Sequence, residues 1–239
     1  MSIASPTQFP LLERPRSAVL LAVVSGLLNA WTFSHTQTFA TVQSGNIVSV
    51  GYFTAEGQTD RALIALTSIV AFFLGSFACS LLVLWLARLR RGYSTPVLVA
   101  EGIVLAILAV ASQLPGVDPW WIAWAISFLA GAQGNAFHRE TGMLYGNVAV
   151  TLVLQMAGSL MGRAVGRRIA SDGQPHLRPA LGFLLVLVGF AGGGGIGFVI
   201  DALWEPAALV AAMLALLALA LVARNFDGPV DPAQNAPTP

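Results

Sequence analysis

The chain has 239 residues, of which 56% are hydrophobic and only 10% are charged. A soluble globular protein carries about a quarter charged residues, so this composition excludes an ordinary soluble domain and predicts an integral membrane protein. The formal net charge of +1 gives no electrostatic basis for binding nucleic acid.

Six predominantly apolar segments are predicted to cross the membrane as helices. They cover residues 17–33, 62–87, 96–112, 120–137, 180–200 and 207–222. Residues 17–224 are therefore predicted to form a single polytopic membrane domain. Proline is frequent in the segments outside it, residues 1–16 and 225–239. We expect a flexible lead and a disordered tail there, both on the cytoplasmic side.

A polar stretch follows the first predicted helix, and a second one follows the fourth. The first runs from Asn29-Ala30-Trp31 to Gln43-Ser44-Gly45-Asn46, and the second from Gln133-Gly134-Asn135-Ala136-Phe137 to Gly146-Asn147. Each begins with Asn-Ala-aromatic and ends at Gly-Asn, where an apolar segment restarts. After Asn46 this segment reaches only about Phe53, which is too short to span. For residues 145–169 three alternatives stay open, namely a re-entrant, an interfacial or a spanning helix.

The two polar stretches divide the domain into similar halves, residues 17–113 and 120–223. Each half contains one span, a broken segment with a short helix, and two more spans. Because three spans is an odd number, the halves must cross the membrane in opposite directions. The sequence therefore predicts an all-α membrane protein with six transmembrane helices and two broken or re-entrant short helices, arranged as an inverted 3+3 repeat.

The distribution of arginine predicts the orientation. With both termini in the cytoplasm, the predicted inner connections collect most of the basic residues, while the outer ones hold only Arg61 among acidic residues. The inner arginines are Arg88, Arg90, Arg91, Arg139, Arg163, Arg167, Arg168, Arg178 and Arg224. This pattern predicts a multi-pass membrane protein with both termini in the cytoplasm.

The candidate binding residues are the polar groups that this topology places inside the membrane. They are Asn29, Gln43, Ser44, Gly45, Asn46, Glu101, Gln133, Asn135, Gly146 and Asn147. A short helix that begins at Gly-Asn directs free backbone N–H groups into the polar stretch, which suits a small anionic or carbonyl-bearing solute.

Each candidate also has a structural alternative. Ser44 and Asn46 could cap the short helix, and Asn29 and Asn135 could join neighbouring helices while lining a cavity. Glu101 is predicted to be functional because it is the only carboxylate at membrane depth. Its alternative is to reach the cytoplasmic surface or pair with Arg88 or Arg91.

Histidines and glycines supply the other notable patterns. His35 and His138 flank the polar stretches and are expected at the interfaces, with a metal or proton-relay role as the alternative. Gly158, Gly162 and Gly166 form a small-residue face suited to close helix contact. The run Gly192–Gly195 is either a hinge or the groove into which the broken segment packs, and we favour packing.

No catalytic or cofactor signature is present, so we predict neither an enzyme nor a cofactor or metal site. The single cysteine, Cys79, excludes an intramolecular disulfide. The predicted function is a small-solute transporter or permease in the lipid bilayer. The alternative is a non-transporting membrane module that binds a lipid or a partner protein. A homo-oligomer is compatible with either function.

These motifs resemble the YoaK family of bacterial inner-membrane proteins, a family of unknown function. Its first motif, Gly-x-x-Asp-Ala-aromatic followed by Met-Thr-Gly-Asn, is similar to Gly26–Trp31 and Val42–Asn46. Its second motif, Gly-x-Gln-Asn-Ala with basic residues, is similar to Gly131–Arg139. In this chain Asn29 replaces the family's Asp, Ser44 replaces Thr, and Gly134 is inserted before Asn135. The resemblance implies six spans and a transporter role, and the loss of the Asp removes a candidate proton- or cation-binding carboxylate.

Overall fold

The computed structural model describes residues 15–136, 150–169 and 172–228. Within these ranges the chain forms α-helices and one 3₁₀ helix, Gly166–Arg168, and no strand. The α-helices are α1 (Pro15–Thr36), α2 (Gln43–Ala55), α3 (Thr59–Arg88), α4 (Ser94–Ala111), α5 (Pro119–Ala136), α6 (Val150–Val165), α7 (Leu177–Leu203) and α8 (Ala207–Ala223). The all-α prediction is confirmed for the described residues.

Four of these helices, α1, α3, α4 and α7, are long and apolar enough to cross a membrane. The helix α8 is also apolar but shorter. Large apolar side chains project outward from the long helices, among them Phe73 (67% exposed), Ile107 (61%) and Val188 (67%). Soluble monomers rarely expose such contiguous apolar surface. The protein is therefore a membrane protein.

The helix α1 lies at the centre of the bundle. It packs against α7, α8 and α5, while α3 packs against α5 and α4 packs against α8. The two short helices lie outside this arrangement, α2 against α3 and α6 against α7. Trp31, Leu21 and Val24 of α1 are fully buried, as expected for a central helix.

Glycines permit the two closest helix crossings. Where α1 crosses α7, a Cβ on Gly26 would overlap the carbonyl oxygen of Phe190, and a Cβ on Gly193 would overlap that of Val23. Where α3 crosses α5, Gly75 has the same relation to Phe128, and Gly131 to Phe72. Each crossing therefore brings two backbones together at a glycine of each helix, as is typical of membrane helix pairs. At the α1–α7 crossing, Gly189 and Gly197 of α7 also lie close to the backbone of α1. In the run Gly192–Gly195 it is Gly193 that packs closely, and it packs against α1 and not against the broken segment.

The chain folds back on itself after α1. The helix ends at Thr36, Gln37 takes a left-handed conformation (φ 56°), and the backbone then returns alongside α1 as far as Asn29. Asn29 lies about two turns, or roughly 10 Å, before the end of α1. As a result α2 begins beside the middle of α1, near Asn29, and leads away from it again. The first polar stretch therefore has the shape of a re-entrant hairpin.

The residues that follow α8 contact the N-terminus of α4. The carboxylate of Asp227 accepts hydrogen bonds from the backbone N–H groups of Ser94 (3.2 Å) and Thr95 (2.8 Å) at the start of α4. A carboxylate stabilises a helix N-terminus through these free N–H groups and the helix dipole. Asp227 belongs to the segment predicted as a tail, so the first part of that segment holds α4.

Candidate functional site

Asn46 is the centre of the largest buried hydrogen-bond network. Its Nδ2 lies 2.6 Å from the carbonyl oxygen of Phe39, 2.8 Å from Oε1 of Gln43 and 3.0 Å from Oγ of Ser68. Its Oδ1 accepts from Oγ1 of Thr38 (3.3 Å) and from the backbone N–H of Phe39 (3.4 Å). Both ends of the amide are therefore satisfied by the protein, as a buried amide requires.

Two serines extend this network to the neighbouring helices. Ser68 of α3 and Ser127 of α5 share a hydrogen bond of 2.9 Å, and Ser68 also donates to the carbonyl oxygen of Phe39. A narrow pocket lined in part by Thr38, Ser68 and Trp124 lies beside them and is too small to admit a water molecule. The network therefore joins the return loop, α2, α3 and α5 in a closed centre.

Neither Ser44 nor Asn46 caps α2. The helix begins at Gln43 without a side-chain capping bond, Ser44 is exposed, and Gly45 packs against the ring of Phe39. Asn46 instead reaches back to the loop before the helix. The capping alternative is wrong because the buried loop offers this amide both donors and acceptors at once.

Asn29 and Asn135 each join neighbouring segments, and they do not bond to each other. Nδ2 of Asn29 donates to Oγ1 of Thr41 (2.7 Å), and its Oδ1 accepts from the backbone N–H of Thr41 (3.0 Å). Oδ1 of Asn135 accepts from Ser76 of α3 at 3.4 Å. Of the two roles considered for these amides, the joining role accounts for the contacts.

Loss of the Asn29–Thr41 pair is expected to destabilise the fold measurably. Asn29→Ala should cost more than Thr41→Val, because it also leaves the backbone N–H of Thr41 without an acceptor. Coupling in a double-mutant cycle should be about 0.6–1.7 kcal/mol, the range found for hydrogen bonds between membrane helices. Thermal melting in detergent would measure it, with the exposed Ser34→Ala as the control. Simple additivity of the two substitutions would contradict this pairing.

A second buried cluster connects three helices around Glu101. Glu101 of α4 is only 2% exposed, and its Oε2 accepts from Nε2 of Gln133 on α5 at 3.1 Å. Oε1 of Gln133 in turn accepts from Oγ of Ser25 on α1 at 3.4 Å. Oε1 of Glu101 is buried and has no hydrogen-bond partner in the described part of the chain. The predicted pairing with Arg88 or Arg91 is wrong, because Glu101 faces the bundle interior.

A third cluster lies at the far end of α1. Nε2 of His35 is 3.0 Å from Oδ2 of Asp201, and its ring stacks on Trp31 with centroids 4.4 Å apart. Oδ1 of Asp201 and Nε1 of Trp31 are both buried without a partner among the described residues. The sequence placed Asp201 in a connection, whereas it occupies the last turn of α7.

Several buried polar residues were missed, because single Ser residues in apolar segments carry no distinctive pattern, and neither do Thr residues among the other polar residues of the first polar stretch. They are Ser25, Thr38, Thr41, Ser68 and Ser127. One usable signal was present on α1, where Ser25, Asn29 and Thr32 recur at helical spacing and so share one face. That face is buried, with exposed fractions of 0%, 6% and 0%.

Three predicted residues, Gly146, Asn147 and His138, lie outside the described residues. The face formed by Gly158, Gly162 and Gly166 meets no described atom within 4 Å of an added Cβ. A groove of about 610 Å³ runs beside it and contains Arg163, Asp172 and His176. A hydrogen bond from the backbone N–H of Gln174 and one with His176 hold the pKa of Asp172 below its ordinary value. No predicted site residue lines this groove.

A protein-family model described as "Protein of unknown function (DUF1275)" matches residues 17–222. The chain belongs to the DUF1275 family. The resemblance to the YoaK family is thereby confirmed, because that family is a DUF1275 family. No curated protein and no solved structure matches the chain. The DUF1275 domain covers all eight described α-helices, and among the described residues no three metal-binding side chains come together.

Proposed function

We propose that this DUF1275 protein is a small-solute transporter or permease of the bacterial inner membrane. In this proposal six helices, α1, α3, α4, α5, α7 and α8, span the membrane with both termini in the cytoplasm. They form an inverted repeat in which α1 to α4 correspond to α5 to α8. The observation that carries the proposal is the reciprocal glycine contact at the two helix crossings.

Most of the helix contacts correspond when the two halves are exchanged, although the contact between α7 and α8 has no comparable counterpart between α3 and α4. The first helix of each half packs against the third helix of the other half, giving the pairs α1–α7 and α5–α3. Each short helix packs against the third helix of its own half, giving α2–α3 and α6–α7. In α3 and α7 the contacting glycine follows a phenylalanine by three positions, as Phe72 and Gly75, and as Phe190 and Gly193. Such equivalence supports two similar halves of opposite orientation, the arrangement that many secondary transporters use for alternating access.

The return loop after α1 supports a solute site near the middle of the membrane. Irregular backbone is tolerated at membrane depth only where protein buries it or a cavity solvates it. The segment from Gln37 to Val42 satisfies this condition through Asn29, Asn46 and Ser68. The N-terminus of α2 lies there, and its N–H groups suit a small anionic or carbonyl-bearing solute. In this proposal the closed centre is the occluded state of the transport cycle.

One observation favours the alternative, a non-transporting module that binds a lipid or a partner protein. The hydrogen-bonding atoms of Asn46 are all engaged by the protein, as expected for a centre that only stabilises the fold. The two functions therefore differ in whether this centre opens. Only a transporter must expose it alternately to each side.

Transport and orientation can be tested in one reconstituted system. Cys79→Ala removes the only cysteine, and single cysteines can then be placed at the exposed positions Val117 and Arg91. We expect an impermeant thiol reagent to label position 117 only from outside and position 91 only from the cytoplasm. The opposite result would overturn the topology.

A screen of small carboxylates, phosphates and amides by thermal shift would then identify binders. A ligand at about 100 times its Kd stabilises the folded state by about 2.7 kcal/mol. Each stabilising solute should enter proteoliposomes faster than it enters protein-free liposomes. If the solutes stabilise the protein without crossing, the binding module is the correct function.

A further inference from the structure

We propose that Glu101 is a proton-exchange site, which takes up a proton from one side of the membrane and releases it to the other as the two halves move. The inference rests on the proposed transport function and assigns its coupling ion. A carboxyl group can be deep inside a membrane protein only if a partner or a bound proton removes its charge. The groups around Glu101 do not neutralise its negative charge, so a bound proton must.

The helices packed against α4 provide no counter-charge. They are α5 and α8, and their described residues include no charged or ionisable side chain. Cys79 of α3 lies close enough to Glu101 for a charge on one to affect the other. A thiol cannot carry a positive charge, so Cys79 provides no counter-charge. Tyr93, at the start of α4, directs its hydroxyl to the carbonyl oxygen of Ala136. Within the described residues, no arginine or histidine faces this carboxyl group.

A metal cation fits this position poorly. Sodium and similar ions need several oxygen ligands, whereas Gln133 directs the N–H of its amide at Glu101. Oε1 of Glu101 has no partner in the described part of the chain. A proton on this oxygen makes the group neutral and so removes the largest cost of burying it, without the set of oxygen ligands that a metal cation requires. The bond from Gln133 to Oε2 is compatible with both the acid and the carboxylate, so Gln133 can hold the group throughout the cycle.

A polar route leads from this site toward the opposite end of α1. Ser25, which is bonded to Gln133, begins the buried polar face that continues through Asn29 and Thr32 to His35. From Ser25 to His35 this face is roughly 15 Å long, about half the hydrocarbon thickness. It ends at Asp201, whose Oδ2 bonds His35. Besides His35, the charged group near Asp201 is Glu205. Both ends of the route therefore carry a carboxyl group with one buried, unpartnered oxygen.

The proton balance of the step is simple. Glu101 in the neutral acid form loses one proton to water on the release side and becomes a carboxylate. It regains one proton from water on the uptake side, so each cycle moves one proton and regenerates the acid. A carboxylate is costly while Glu101 is buried among α1, α4 and α5. Deprotonation of Glu101 therefore favours an open conformation of the protein. Proton release and opening are then coupled.

The first test uses infrared titration of the purified full-length protein, with the proton itself as the probe. Between about pH 5 and about pH 9, a range over which buried carboxyl groups titrate, the wild type should lose a carboxylic-acid band. This band should be missing at every pH in Glu101→Gln, while it persists in Glu205→Gln. A wild-type spectrum without such a band would overturn the proposal, even if the variants do not fold.

The second test uses Cys79, which is buried beside Glu101 and is the only thiol. At each pH the alkylation rate of Cys79 is divided by the rate in the unfolded chain, which corrects for the effect of pH on the thiol itself. In the wild type this ratio should rise about tenfold between about pH 5 and about pH 9, because it follows the fraction of molecules in the open conformation. Glu101→Gln stays neutral, so its relative rate should stay at the low-pH value. Removing the negative charge of Glu101 would by itself make the thiolate of Cys79 easier to form. The charge change therefore cannot explain why the acceleration is lost in Glu101→Gln. Equal acceleration in both proteins would overturn the proposal. If the carboxylic-acid band titrates but no solute crosses the membrane, the result contradicts the transport function and leaves the proton site at Glu101 standing.

Discussion

Gly193→Ala is expected to destabilise the protein strongly, whereas the adjacent Gly192→Ala should leave its stability unchanged or slightly higher. A Cβ at position 193 would lie on the backbone of Val23, with the carbonyl carbon and Cα both at 2.9 Å. At position 192 no atom lies within 4 Å. The two glycines are consecutive in α7, so they share the same helix interior and membrane depth.

The matched pair separates packing from helix propensity. Replacing a helix glycine with alanine favours the helix by about 1 kcal/mol at either position. Overpacking costs about 1–3 kcal/mol where side chains can adjust, and here the obstacle is backbone, which adjusts less. For a chain of this size each kcal/mol corresponds to about 2–4 °C. With the overpacking cost in the upper part of this range, the net loss after the gain in helix propensity is about 1–2 kcal/mol, so we expect Gly193→Ala to melt ~2–8 °C below the wild type in detergent.

The same experiment on the other crossing tests the equivalence of the halves. Gly131→Ala would place a Cβ on the carbonyl oxygen of Phe72, just as Gly26→Ala would place one on that of Phe190. These two substitutions should lower the melting temperature by similar amounts. If Gly131→Ala were neutral while Gly26→Ala unfolded the protein, the two crossings would not be equivalent, and support for the inverted repeat would be lost.

The helices were predictable because apolar segments and their polar interruptions are local features of the chain. The segment 62–87 became α3 (Thr59–Arg88), and the short segment beginning at Gly45 became α2 (Gln43–Ala55). The importance of Asn46 was predictable as well, since an amide in an apolar chain demands partners.

The partners of these residues could not be predicted, because they come from distant parts of the chain. Ser68 and Ser127 contact each other across 59 positions, and His35 meets Asp201 across 166. Hydrophobic periodicity identifies which face of a helix is buried and does not identify the helix that covers it. For this reason the sequence offered only nearby arginines as alternative partners for Glu101, whereas the fold pairs it with Gln133.

Asn46→Leu is expected to be the most damaging substitution in the first polar stretch. Leucine is similar in shape to asparagine, but it would leave Oε1 of Gln43 without its donor, and the hydroxyl of Thr38 and the backbone N–H of Phe39 without their acceptor. The carbonyl oxygen of Phe39 would keep only the bond from Ser68. Each buried group that loses its partner costs about 1–3 kcal/mol. Part of this cost is recovered, because Ser68 and Ser127 can still bond each other. We expect a net loss of about 2–5 kcal/mol, which is a large part of the stability of a typical domain.

Two further variants distinguish a folding role of this amide from a role in solute binding. At a pH low enough to keep the new carboxyl group neutral, Asn46→Asp keeps the acceptor for Thr38 and Phe39 and replaces the two N–H donors with one O–H, so its stability should lie between those of the wild type and Asn46→Leu. Ser44→Ala changes an exposed residue that lies between Gln43 and Asn46 in sequence but takes no part in the hydrogen bonds described above, so it should leave melting unchanged. Thermal melting and expression level measure the fold, and the solute-induced thermal shift measures binding. The folding role predicts that all three readouts fall together in Asn46→Leu. If melting and expression stayed normal while the solute-induced shift disappeared, the amide would belong to the solute site, and its contacts in the closed centre would be those that a solute replaces.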